Sequence, residues 1–205
     1  MDLTGVLPAG ALAAGVLPDR ELHALVRAGV ISAEEGVAAD QVQPASLDLR
    51  LGDVAYRLRA SFLPGEAIVA DRLDDTLLMH ALDLTRGAVL ETGCVYLVPL
   101  QERLVLPPDL SAAANPKSST GRIDVFVRAV ADRARAFDCA PAGYKGPLYA
   151  EISPRTFSVL ARKGDRLLQL RVRRGSPSPI REMTFSLDLH PGADDVVGYR
   201  AKRHS

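Results

Sequence analysis

A mainly β fold, closed as a sandwich, jelly roll or distorted barrel, is the fold class this sequence predicts. Apolar and polar residues alternate with period two in a succession of short stretches, Gly, Pro and Asp clusters punctuate them, and helical spacing surfaces at two places. The chain has 205 residues, 47% of them apolar and 24% charged, which suffices for one domain with a hydrophobic core.

Residues 1–16 are apolar and small, but no basic segment leads them and Gly5, Pro8, Gly10 and Gly15 interrupt them, so an arm is expected and not a signal peptide. Pro18 opens a short helix: Asp19 and Glu21 give an acidic first turn, Leu22, Leu25 and Val26 recur at i, i+3, i+4, and Gly29 stops it. From 46 to 51 the pattern becomes strict alternation, with Leu47, Leu49 and Leu51 on one face and Ser46, Asp48 and Arg50 on the other, which predicts a half-buried strand. Val54, Tyr56, Leu58 and Ala60 repeat the alternation, and 95–98 and 104–106 read as two further strands. Ile123, Phe126, Val127 and Val130 sit at helical spacing after Ser118-Ser119-Thr120, which predicts a single helix embedded among the strands. Strands resume at 148–152, at Phe157, Val159 and Ala161, and, beyond the turn Lys163-Gly164-Asp165, at Leu168, Leu170 and Val172. Gly175-Ser176-Pro177-Ser178-Pro179 reads as a linker and 183–189 as a last strand, so the chain divides into an arm (1–16), a β domain (17–174) and a C-terminal extension (175–205).

Lys and Arg together number 25, and so do Asp and Glu, so no global field draws the chain to nucleic acid or to an anionic membrane. Any polyanion must be met by a local cluster. No uninterrupted apolar run reaches the roughly 18 residues of a membrane span. Cys94 and Cys139 have neither disulfide-framework nor zinc spacing, and a reducing, cytoplasmic setting is expected. His23, His80, His190 and His204 show no HxH or HExxH spacing, so no metal held by protein ligands is expected.

Three constellations carry candidate chemistry. Asn115 to Arg122 crowds Lys117, Ser118, Ser119, Thr120 and Arg122 at the start of the expected second helix. Hydroxyls and helix N-terminal amides donate to phosphate oxygens, and the two cations neutralise the remaining charge. Read blandly, the same residues cap a helix and leave Lys117 and Arg122 solvated. Glu151 points, on the alternation, with Tyr149 and Ser153 away from the apolar face of Leu148, Ala150 and Ile152. Such a glutamate is a surface residue unless its face lines a pocket, where it becomes a general base. Asp48 and Arg50, at i, i+2 on one strand face, are expected to form a structural ion pair.

Taken in order, QPASLDLRLG (43–52), LVLPPDL (104–110), KSSTGR (117–122), GPLYAEI (146–152) and KGDRLLQL (163–170) resemble the dCTP deaminases, relatives of the trimeric dUTPases. The resemblance implies a dUTPase-like distorted β-barrel or jelly roll, a homotrimer with active sites shared between subunits, and dCTP or dUTP as nucleotide partner. It also implies a magnesium ion that accompanies the triphosphate. Glu151 falls on the family's catalytic glutamate, which activates water for attack on cytosine C4, and Ser118 and Arg122 fall on groups that orient that water. Lys117, Ser119, Asp138, Tyr144 and Gln169 fall among the substrate-binding residues. Lys117 stands where the family usually has Arg, a point charge in place of a fork, and the turn 139–144 is longer than the family's. The chain also resembles the N-terminal lobe of a lengthened, two-lobe form.

Zinc deaminases hold their metal with HxE and PCxxC, and the sequence contains neither, so a carboxylate must carry any deamination. The alternatives are a dUTPase or bifunctional enzyme that releases dUMP and pyrophosphate, and a nucleotide-binding lobe without catalysis.

Overall fold

The computed structural model describes residues 14–175 and His190. Most of the expected arm, the linker after Gly175 and the expected strand at 183–189 lie outside the described residues. Helix α1 (Asp19–Arg27) starts at Pro18, whose extended backbone has φ −74° and ψ 169°, and it buries Leu22, Ala24 and Leu25. The proline supplies a fixed φ where a helix has no use for its first amides.

Antiparallel strands make up most of the remaining regular structure. One sheet contains β1 (Gly15–Val16), β3 (Val42–Gln43), β4 (Ser46–Leu49), β9 (Leu110–Pro116), β11 (Cys139–Ala140) and β14 (Leu168–Arg174), ordered β11-β9-β14-β4-β3 with β1 beside β14. The other contains β2 (Ile31–Ala33), β5 (Val54–Leu58), β6 (Leu78–Asp83), β8 (Val95–Val105), β10 (Val125–Ala131) and β12 (Lys145–Pro154), ordered β10-β12-β8-β5-β6 with β2 beside β8. A small ribbon pairs β7 (Ala88–Leu90) with β13 (Val159–Ala161).

Alternation decides where the core lies. Val127, Ala129, Ala150, Ile152 and Val98 of the second sheet join Leu47, Leu49, Ala112, Leu170 and Val172 of the first in one large cluster. The opposite face of the second sheet carries a smaller cluster of Leu58, Val69, Leu97 and Val130, with Phe62, Leu73 and Leu77 packed on it. The long segment 59–77 between β5 and β6 therefore covers the outer face of the second sheet.

Three expectations need correction. Helix α2 covers Ser118–Arg122 alone, and Val125–Ala131 is strand β10. Val125, Val127 and Ala129 are buried in alternation with exposed Phe126 and half-buried Arg128, so β-branched residues fit the pleat and pairing with β12 overrides the helical spacing. The pieces at 95–98 and 104–106 form one strand, β8, which runs through Pro99. Asp48 and Arg50 do not pair with each other, because both faces of β4 are covered and all four of its residues are buried. Lys117 binds Asp48. Arg50 instead donates from Nε at 2.8 Å to Glu102 Oε1, an oxygen that also accepts from Gln41 Nε2 at 2.9 Å, while the Arg50 amide donates to Glu102 Oε2 at 2.8 Å.

Candidate active site

Glu151 lies in the middle of β12, directly opposite Arg128 of β10 and Leu97 of β8. It shares a face with Tyr149 and Ser153, as the alternation predicts, but that face is covered and Glu151 is only 2% exposed. A buried carboxylate needs a cation and hydrogen-bond donors to remain charged. Arg128 supplies both, donating to Glu151 Oε1 from Nε at 3.2 Å and from Nη2 at 2.5 Å.

Arg128 is itself held on several sides. Its Nη2 donates to Ser61 Oγ at 2.8 Å, which ties the segment 59–77 to the site. Its guanidinium carbon lies 3.5 Å from the centre of the Phe137 ring and 5.0 Å from that of Phe126. Two rings at these distances attract the cation and leave it little freedom. Glu151 Oε2, in contrast, has no hydrogen-bond partner among the described residues.

Asp138 borders this group with a left-handed backbone, φ 61°, which aspartate tolerates better than most residues. Its carboxylate accepts the Ala129 amide at 2.7 Å, and its own amide donates to the Ala129 carbonyl at 2.8 Å. Burial pushes its carboxyl above the ordinary aspartate range and the nearby Glu151 charge adds to that, while the Ala129 amide and Arg128 oppose it. A cleft of about 420 Å³ opens on the same outer face, between Tyr56, Arg103, Tyr149 and Lys163.

The remaining expected site residues lie elsewhere in the chain. Lys117 binds Asp48, Gln169 accepts from Ser46 Oγ at 3.3 Å, and Arg122 Nη2 donates to Ser118 Oγ at 3.2 Å. Ser118, Ser119 and Arg122 are exposed. Among the described residues no hydrogen bond or ion pair joins this group to Glu151. Because α2 has only five residues, hydroxyls and cations, rather than a helix dipole, are what it offers an anion. Tyr144 is buried, and its hydroxyl accepts the Asp132 amide at 3.0 Å and donates to the Pro147 carbonyl at 2.5 Å. Burial raises it to about 12. A Cβ on Gly146 would stand 2.7 Å from that hydroxyl, so glycine is required for the tyrosine to reach Pro147. Tyr144 thus shapes the turn from within.

A family model described as 2'-deoxycytidine 5'-triphosphate deaminase (DCD) N-terminal domain matches residues 13–176. The chain belongs to this family. The dCTP deaminase of Halorubrum lacusprofundi is 33% identical over 132 residues, which cover 63% of this chain and 62% of that protein. A Halobacterium salinarum protein named dCTP deaminase, dUMP-forming, is 30% identical over 118 residues, 57% of this chain and 60% of that one. The crystal structure of 2'-deoxycytidine 5'-triphosphate deaminase from Agrobacterium tumefaciens is similar with a TM-score of 0.76 and 57% identity, over 79% of this chain and 48% of that chain. The chain therefore spans less than two thirds of the length of these curated relatives and about half of the A. tumefaciens chain.

Within this DCD domain, the sequence did not point to Arg128, Ser61 or Phe137. The signal for Arg128 was present, as the polar residue of an alternating run whose register sets it against Glu151. Phe137 and Ser61 lie in loops, where no periodicity reports a contact.

Proposed function

We propose that the chain deaminates dCTP hydrolytically, dCTP and water giving dUTP and ammonia, as a hydrolase of the C4–N bond that uses no protein-held metal. The observation that carries this reading is Glu151, a buried carboxylate with one oxygen bound by Arg128 and the other without a partner among the described residues. Oε2 takes a proton as the water oxygen bonds to C4, and the C4=N3 π pair moves to N3, which is protonated. The tetrahedral carbon then expels the amino nitrogen as C4=O forms. Of the two water protons one ends on N3 and the other on ammonia, both carried by Glu151, which returns to its carboxylate form.

Ser118 and Arg122 orient the water, Lys117 and Ser119 bind phosphate, and the triphosphate enters with its magnesium ion as substrate. Asp138 and the backbone around it hold the base, with Gln169 on the nucleotide. The exposure of Ser118, Ser119 and Arg122, and their separation from Glu151 within one chain, support a site completed by a second copy in a homotrimer.

Glu151→Gln is expected to lower ammonia release from dCTP by about 10³-fold or more while calorimetry still detects dCTP binding. A variant that deaminates at the parent rate would falsify the assignment. Mixing inactive Glu151→Gln with inactive Ser118→Ala restores ammonia release where each site draws on two copies; a mixture as silent as its components removes the shared site. The dUMP-forming name of the H. salinarum relative favours a second reading, in which dCTP and two waters give dUMP, pyrophosphate and ammonia. Chromatography of the nucleotide product separates the two.

A further inference from the structure

Glu151 Oε2 and Ser153 Oγ are both buried and both without a hydrogen-bond partner among the described residues. The residues are 2% and 5% exposed and stand two apart on the same face of β12. Phe126 lies opposite Ser153, and Arg128 and Leu97 lie on either side of Glu151. Arg128 is occupied by Oε1, Ser61 and two aromatic rings, and the apolar neighbours offer nothing to bond.

Buried polar groups are seldom left unpartnered, because each forfeits its bonds to water and receives none in return. Alanine would fill the place of Ser153 without that loss. The two lone atoms are complementary: a carboxylate oxygen needs a donor, whereas a hydroxyl hydrogen needs an acceptor. Water is both. It donates one hydrogen to Oε2, accepts the Ser153 hydroxyl, and keeps one lone pair to attack.

We infer that Ser153 is a further catalytic residue, whose hydroxyl and Glu151 Oε2 together hold the attacking water. This rests on the deaminase reading above. Ser153 gains and loses no proton in the net reaction; it fixes the water oxygen while Glu151 takes the proton. The role lies within one chain and adds to whatever a second copy contributes through Ser118 and Arg122.

The test measures steady-state ammonia release and thermal melting of the full chain and its Ser153 variants. Ser153→Ala is expected to lower kcat about 10- to 100-fold with KM for dCTP changed less than about twofold. Its melting temperature should equal or exceed the parent's, since a hydroxyl without a partner is removed. Ser153→Thr, which keeps the hydroxyl, should recover most of kcat. The inference is overturned by a Ser153→Ala variant as fast as the parent, or by a loss of rate that comes with a lower melting temperature and persists in Ser153→Thr. A parent chain that releases no ammonia sinks the deaminase reading itself, whereas an active parent matched by Ser153→Ala sinks only the role of Ser153.

Discussion

At the scale of single residues, the fold stabilises one charge with neighbours of three kinds: a guanidinium on Glu151, ring faces on that guanidinium, and a loop hydroxyl beyond. Removing the cation leaves a carboxylate buried alone, and Arg128→Met should destabilise the protein by about 3 kcal/mol, read from urea unfolding. Adding Glu151→Gln to that variant should return much of the loss; equal instability of single and double variants would mean that the ion pair contributes little. The side to which Glu151 points was legible in the sequence, because Leu148, Ala150 and Ile152 mark the core face. Its burial was not, since alternation reports which face a residue occupies and not what covers it: Arg128 lies on Glu151 and is itself held by Phe137 and by Ser61 of the distant segment 59–77. The same limit separated Asp48 from Arg50: i, i+2 spacing put them on one face, while Glu102 arrives from β8 and Lys117 from the junction of β9 and α2.

Elements are where local pattern and tertiary pairing compete. Residues 123–130 satisfy a helical spacing and a strand alternation at once, and only the seven-residue ladder with β12 selects the strand. That choice creates the site, because a helix would not bring Arg128 against Glu151. Helix α1 was legible because Pro18, an acidic first turn and Gly29 agree with its apolar stripe, and none of these depends on a distant partner. The turn after β4 depends on one close approach. The Gly52 amide donates to the Pro99 carbonyl at 2.8 Å, and a Cβ there would lie 2.6 Å from that oxygen. A backbone carbonyl inside β8 cannot swing aside as a side chain does, so Gly52→Ala should cost about 1–3 kcal/mol in urea unfolding. An unchanged midpoint would show that β8 yields.

Over the whole molecule, the buried tyrosines set an alkaline limit. Burial raises Tyr144 and Tyr149 from 10 to about 12. The unfolded chain ionises first, so their contribution is intact below about pH 10 and is lost as pH climbs to about 12, with a slope of up to about 1.4 kcal/mol per pH unit for Tyr144. Urea midpoints should hold level to pH 9 and then fall, and the fall should be shallower in Tyr144→Phe. The two-faced second sheet has another consequence. Among the described residues its outer cluster contains four buried residues, against the much larger set between the sheets, so 59–77 should loosen while the sandwich stays shut. Amides of that segment should exchange with deuterium well before those of β8 and β12. Solvent would then reach the carboxylate by a shallow local breathing motion, and a variant made more heat-resistant through the inner core would admit its substrate no more slowly than the parent.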